Sequence, residues 1–221
     1  LFPNTVAIIT EILEKDMEHI IKDMVKRDRK IDEIKFLEWM HKTASGIESL
    51  HNIGFVNMDI KTSNTIVNEG YCFNNDLKYL ETRNCEKKGN MITLREIYRN
   101  VPTELVKHDV PVRVKMIDLS SIIKPQVDTR RTFGSRLCTV MYRSADDKLT
   151  SKSDVYSFGL LMWEVANTKM IPSVQAAAKL LQHKNSKKIT LDTSCKWTNQ
   201  KKVTKLITSC LNEDLDKRPS M

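Results

Sequence analysis

Asn57-Met58-Asp59-Ile60-Lys61-Thr62-Ser63-Asn64 is the stretch that decides how this chain is read. It sets a carboxylate, an ammonium group two residues on and a carboxamide five residues on within one polar loop. Short apolar runs flank it, Gly54-Phe55-Val56 before and Thr65-Ile66-Val67 after, each suited to a strand. A second carboxylate, Asp118 in Ile117-Asp118-Leu119-Ser120, stands at the end of a predicted strand over Val112 to Ile117. There Val114 and Met116 alternate with Arg113 and Lys115.

Working outward, the pattern turns helical. Leu37, Met40, Ala44, Ile47 and Leu50 recur at three- and four-residue steps, and Gly54 follows as a helix terminator. Glu14 to Arg29 has the same spacing at Met17, Ile20, Ile21 and Met24. Asp154 to Asn167 is apolar on nearly every side, so that helix is expected to be buried all round. Val203, Leu206, Ile207, Cys210 and Leu211 form a narrower stripe, which predicts a helix buried on one face. Val6-Ala7-Ile8-Ile9 suits a buried strand. Tyr71 to Pro111 is long and mixed in polarity; it reads as a peripheral insertion with a helix near Leu94 to Val106. The fold class is therefore mainly α, a helical bundle with a few short β-strands.

The chain has 221 residues, 40% hydrophobic and 29% charged, which fits a globular domain rather than a disordered one. The net charge is +8, but the basic residues alternate with acids, as at Asp23 and Asp28 among Lys22 to Lys30. No aromatic stacking platform accompanies them, so no nucleic-acid partner is expected. No apolar run is long enough to span a membrane. Five scattered cysteines form no C-x-x-C pair. That argues against a disulfide framework or zinc site and points to a reducing, cytoplasmic setting.

Asp59, Lys61, Asn64 and Asp118 have the chemistry that phosphoryl transfer requires. A carboxylate accepts or orients the attacking hydroxyl's proton, a cation offsets phosphoryl charge, and oxygen ligands hold magnesium. The order of motifs resembles the protein kinase family. The stretch from Leu50 through Asn64 resembles the catalytic loop H-R-D-x-x-x-x-N, and Asp118 matches the aspartate of D-F-G. Cys138-Thr139-Val140-Met141-Tyr142-Arg143-Ser144-Ala145-Asp146 resembles the end of the activation segment. Ser153-Asp154-Val155-Tyr156-Ser157-Phe158-Gly159 resembles the start of the family's central helix, and Asp214 to Met221 the segment near the domain's end.

The resemblance implies the C-terminal lobe of a two-lobed α+β kinase domain, with ATP and Mg2+ as cofactors. Asp59 is then the catalytic base and Lys61 a phosphoryl contact, with Asn64 and Asp118 as magnesium ligands. Ile8 to Leu13 resembles the last N-lobe strand and hinge, which makes Thr10 the gatekeeper and places the backbone of Glu11 and Leu13 against adenine. On this reading residues 1–13 are the N-lobe remnant. Residues 14–221 are the C-lobe, with an insertion at about 71–111 and its end missing.

Lys61 and Thr139 favour serine/threonine specificity, and the Ser153 to Gly159 run is most like the tyrosine-kinase-like branch. The implied partners are a protein substrate and ATP. Thr129, Thr132 and Ser135 are hydroxyls in the activation segment.

The chain also departs from the family pattern. Asn57-Met58 replaces His-Arg, which removes the arginine that pairs with a phosphorylated activation loop. Ser120 replaces the D-F-G glycine, where a cost in backbone freedom is expected. Asp146 stands for the glutamate that pairs with the arginine matched by Arg218. None of the six glycines forms G-x-G-x-x-G, so the isolated fragment is expected to be inactive. The alternative reading is a pseudokinase or free-standing C-lobe that binds a kinase as scaffold or decoy. His41 and His51 are read as surface or packing residues.

Overall fold

The computed structural model describes residues 13–69, 71–73, 85–88, 91–94, 105–107, 111–125, 139–144, 150–171, 191 and 196–221. The chain divides into two compact units, one of Leu1–Val67 with Arg113–Met221 and one of Asn68–Val112.

In the larger unit a short strand, β1 (Lys15–Asp16), leads directly into helix α1 (Met17–Lys26). The Asp16 carboxylate accepts the His19 N–H at 2.8 Å, satisfying one of the free donors of the first turn. Helix α2 (Glu33–Asn52) begins the same way, with Asp32 accepting the Lys35 N–H at 2.9 Å. It ends before Gly54, whose φ of +81° is the left-handed conformation that glycine adopts without steric cost.

The buried stripe of α2 is Phe36, Trp39, Met40, Thr43 and Ile47. The expected stripe shared Met40 and Ile47 but included Leu37, which is 42% exposed. The helix is turned so that the two aromatic rings are covered, and one residue of phase is about 100° of rotation. Phe36 meets the ring of Trp197 at 4.8 Å between centroids.

Helix α3 (Ser151–Asn167) is the centre of the unit. Thr150 and Ser153 form a reciprocal capping box, and from Ser153 to Asn167 all residues are buried but Trp163, which is partly so. A helix apolar on nearly all sides has no face to offer water, as its sequence predicts. Helix α4 (Gln200–Cys210) crosses it closely at Gly159, where an added Cβ would stand 2.9 Å from Cys210 Cβ. Val203, Ile207 and Cys210 of α4 are buried, but Leu206, expected in that stripe, is 48% exposed. The Glu33 carboxylate accepts the N–H groups of Thr198 and Asn199 ahead of α4, at 2.6 and 2.8 Å.

Two small sheets carry the polar loops. Strand β2 (Val56–Asn57) pairs antiparallel with β9 (Ile122–Ile123), Val56 opposite Ile123. Strand β3 (Thr65–Asn68) lies between β1 and β8 (Arg113–Met116) in a three-stranded sheet.

The smaller unit contains two antiparallel pairs. They are β4 (Tyr71–Phe73) with β7 (Leu105–Lys107), and β5 (Cys85–Lys88) with β6 (Met91–Leu94). The helix expected near Leu94 to Val106 is not there at either end, since Leu94 closes β6 and Val106 lies within β7. Val106 pairs with Cys72 across the β4–β7 ladder, so long-range pairing overrides the local pattern. The strand expected at Val6 to Ile9 falls outside the described residues.

Candidate active site

Strand pairing brings the two polar loops together from both sides. Beyond the β3–β8 pairing, the Ile117 N–H donates to the Asn64 carbonyl at 2.9 Å. Beside the β2–β9 pair, the Met58 N–H donates to the Ser121 carbonyl at 3.2 Å. Asp118 thus follows a residue bonded to Asn64, although some fifty residues separate them in sequence.

Asp59 is 8% exposed, and donors surround its carboxylate. Lys61 Nζ and Asn64 Nδ2 donate to Oδ2 at 2.6 and 2.8 Å. The backbone N–H and hydroxyl of Thr139 donate to Oδ1 at 3.0 and 2.6 Å. Burial alone would raise the Asp59 pKa, but the bonds from Lys61 and Thr139 outweigh it and hold the group below the usual carboxylate range. Asp59 is therefore ionised at neutral pH and can accept a proton or orient a hydroxyl. Lys61 Nζ also donates to Thr139 Oγ1 at 2.8 Å, closing a three-residue ring.

The loop backbone is fixed from beneath. The Asn57 N–H donates to Asp154 Oδ2 at 2.7 Å, and His51 Nε2 lies 2.9 Å from the same oxygen. Burial pushes Asp154 up to about 6 despite the opposing effect of His51 and the Asn57 N–H. Asn57 Oδ1 in turn accepts the Asp59 N–H at 3.2 Å. Met58, where the family carries arginine, is buried with Val56 and packs against Ile123. It is part of the apolar floor under the loop.

Glu164 of α3 is fully buried and was not singled out as a site residue from sequence. Its carboxylate accepts the Thr62 hydroxyl at 3.1 Å, the Tyr142 hydroxyl, and the Ile171 N–H at 2.7 Å. Burial raises its pKa, against the lowering effect of these donors, and burial beside Glu164 likewise raises Tyr142. This cluster ties the residue after Lys61 to the segment following Thr139. The signal available in sequence was an acid inside an otherwise apolar helix, which must find buried partners. His51, read as a packing residue, supports the loop through Asp154, whereas His41 is exposed.

Asp118 is exposed and adopts a left-handed backbone, φ 56° and ψ 65°, which aspartate tolerates better than most residues. Ser120 Oγ donates to Asp118 Oδ1 at 2.6 Å. The cost expected from replacing glycine by Ser120 does not arise. Ser120 lies in a 3-10 turn, Leu119–Ser121, and has no positive φ. Leu119 is 56% exposed.

Leu13, expected at a hinge, is partly buried. Thr10, Glu11, Thr129, Thr132, Ser135, Cys138 and Asp146 lie outside the described residues. Arg218, the expected partner of Asp146, is buried. It donates to the carbonyls of Asn212 and Lys152 at 2.7 and 3.0 Å and lies over the Tyr156 ring.

The donor chemistry fits magnesium. Both Nδ2 bonds of Asn64 go to Asp59, which leaves its carboxamide oxygen facing away from them, and Asp118 offers a carboxylate. Among the described residues no group of three or more His, Cys, Asp or Glu forms a closed metal site. Magnesium suits such an open set, because it keeps waters and phosphate oxygens among its ligands.

Asp59 thus sits in a ring with Lys61 and Thr139, Asn64 is bonded to its carboxylate, and Asp118 follows Ile117, whose N–H is bonded to Asn64. The chain belongs to the protein kinase domain family, whose model matches residues 3–221. It is 29% identical to the probable serine/threonine-protein kinase drkC of Dictyostelium discoideum over 133 residues, 56% of this chain and 17% of the relative. A second probable serine/threonine-protein kinase of that organism is 22% identical over 219 residues, 99% of this chain and 11% of the relative. Serine/threonine/tyrosine-protein kinase HT1 of Arabidopsis thaliana is 29% identical over 182 residues, 79% of this chain and 34% of the relative. The chain thus spans from about a tenth to a third of the length of these relatives. The family generally uses ATP and Mg2+ and acts on proteins. No helix among the described residues is long and apolar enough to cross a membrane.

Proposed function

We propose that this chain is the C-terminal lobe of a serine/threonine kinase domain of the tyrosine-kinase-like branch. The complete protein moves the γ-phosphoryl of ATP to a protein hydroxyl. The observation that carries the reading is the convergence of Lys61, Asn64 and Thr139 on the buried Asp59 carboxylate. Asp59 orients the substrate hydroxyl and takes its proton as the new P–O bond forms and ADP leaves. Lys61, bonded to Asp59 here, would offset charge on the transferred phosphoryl. The Thr139 bonds pin the carboxylate and favour a serine or threonine acceptor. Asn64 and Asp118 would hold Mg2+, which supplies charge neutralisation on the phosphates when bound. The family resemblance assigns Thr10, Glu11 and Leu13 to the adenine contact.

On this reading residues 1–13 are the last N-lobe strand and hinge and 14–221 the lobe, with an insertion at about 71–111 that falls within the unit Asn68–Val112. No G-x-G-x-x-G occurs in the 221 residues, so the chain's own residues do not clamp the triphosphate, and alone it is inactive. The second reading is a pseudokinase or free-standing C-lobe that binds a kinase as scaffold or decoy.

The test is transfer of labelled phosphate from ATP to serine and threonine peptides by the complete protein, native and Asp59→Asn. The proposal expects transfer by the native protein and its loss in the variant. Absence of transfer by the native protein with Mg-ATP bound supports the second reading. Transfer that Asp59→Asn leaves unchanged refutes the assignment of the base.

A further inference from the structure

The Asp118 carboxylate has an unusual dependence on one neighbour. It heads the Leu119–Ser121 turn without capping it, so none of that turn's N–H groups fixes its side chain. It is exposed among the described residues. The partner the structure gives it is the Ser120 hydroxyl, which donates to Oδ1 at 2.6 Å, a short charge-assisted bond. Ser120 occupies the position where the resemblance places glycine, a residue with no side chain to offer. Its backbone has no positive φ, so the turn requires no glycine there and the hydroxyl is added without strain.

We propose that Ser120 is a positioning residue that orients the Asp118 carboxylate for a divalent cation. The proposal rests on reading Asp118 as a metal ligand. A hydroxyl bonded to Oδ1 fixes the plane of the carboxylate and still leaves a lone pair on Oδ1 and both on Oδ2. Outer partners of this kind hold ligating carboxylates in place, and their removal typically lowers metal affinity by about 10–100-fold. Here the hydroxyl substitutes for the packing and N–H donors that the exposed turn does not supply.

The experiment is Mn2+ titration of the complete protein, with free Mn2+ followed by electron paramagnetic resonance. It compares native, Asp118→Asn, Ser120→Ala, Ser120→Gly and Ser120→Thr, with thermal melts to show that each is folded. Expected are loss of the site in Asp118→Asn and weakening by about 10-fold in Ser120→Ala and Ser120→Gly. Ser120→Thr, which keeps the hydroxyl, should bind within about threefold of native. Affinity of Ser120→Ala within twofold of native, roughly the noise of such a titration, would overturn the inference while leaving Asp118 a ligand. So would equal weakening in Ser120→Ala and Ser120→Thr, because the side chain's bulk rather than its hydroxyl would then matter. Equal binding by native and Asp118→Asn would overturn the metal reading itself, and this inference with it.

Discussion

Asp59 and Asp118 lie on neighbouring loops, yet the chain holds them in opposite ways. Asp59 is 8% exposed and accepts bonds from Lys61, Asn64 and Thr139, which come from its own loop and from one distant segment. Beneath it the loop backbone is bonded to Asp154, and Ile60 and Met58 are buried. Asp118 is exposed, followed by an exposed Leu119, and its carboxylate meets the Ser120 hydroxyl. One loop is set before any ligand arrives. The other has its carboxylate held by one side-chain hydroxyl among the described residues. A proton acceptor has to be aimed in advance, because misplacement by about 1 Å can cost about 100-fold in rate. A metal ligand can close on its ion.

The sharpest way to break this contrast is Asp59→Asn in the complete protein. Loss of a positioned proton acceptor lowers kcat by about 10²–10⁴-fold. The binding of nucleotide, which does not use the acceptor, should change little. A kcat within a factor of about three of native, far below that range, would show that the preset loop is scaffolding and not chemistry.

A large stability effect is expected under the same loop. Ile60 is 1% exposed, so Ile60→Ala removes buried methyl groups and leaves a cavity, costing about 2–5 kcal/mol by denaturant titration. A cost below about 1 kcal/mol would mean that the floor of the loop collapses freely and is not a rigid support.

Asp154 tests how the loop is held. Asp154→Ala strands the Asn57 N–H in a buried setting, a loss of about 1–3 kcal/mol, and Asp154→Asn keeps an acceptor and should lose less. The same residue sets a pH dependence. Its folded pKa is raised from 3.8 to about 6, so the folded state binds the proton more tightly than the unfolded state. Stability therefore falls as pH rises from about 4 to about 6 and is level above that, as far as Asp154 contributes. Asp59 acts in the opposite sense and in another window. Its folded pKa lies below 3.8, so its contribution is present above that value and is lost as pH falls through the folded pKa. Urea melts from neutral pH down into the acid range would separate the two, because the Asp154 slope lies between about 4 and 6 and the Asp59 loss lies below 3.8. A profile of Asp154→Asn that keeps the native slope between pH 4 and 6, the window of its own shift, would contradict the assignment.

What could be read from sequence follows the same division. The helix at Asp154 to Asn167 was legible because a helix with no polar face has one place to go. Its Asp154 carboxylate accepts the Asn57 N–H of the loop. The loop motifs were legible as an ordered set, and that order matches the family found over residues 3–221. Exposure on the amphipathic helices was less legible. Leu37 and Leu206 were placed inward by spacing, but the burial of Phe36, Trp39, Val203 and Ile207 fixes the rotation of their helices. Glu164 was hidden because its partners, Thr62, Tyr142 and Ile171, come from three separate places in the chain. The motif position of Ser120 suggests a conformational demand for glycine, but the positive φ falls two residues earlier, at Asp118.

The smallest expected effect falls on the open loop. Leu119 is 56% exposed, so truncation to alanine removes little apolar area from a packed setting. Surface substitutions away from caps, cores and networks stay within about 0.5 kcal/mol, and Leu119→Ala should do so in the chain as it stands. The matched comparison is with Ile60, whose side chain is of similar size but lies on the preset loop. If the two truncations cost the same, the loops are supported alike and the contrast between Asp59 and Asp118 fails. If Leu119→Ala is neutral here but costs more than about 1 kcal/mol in the complete protein, then other parts of that protein cover Leu119. The turn would in that case be open in this chain alone, and its final geometry would come from protein contacts as well as from metal.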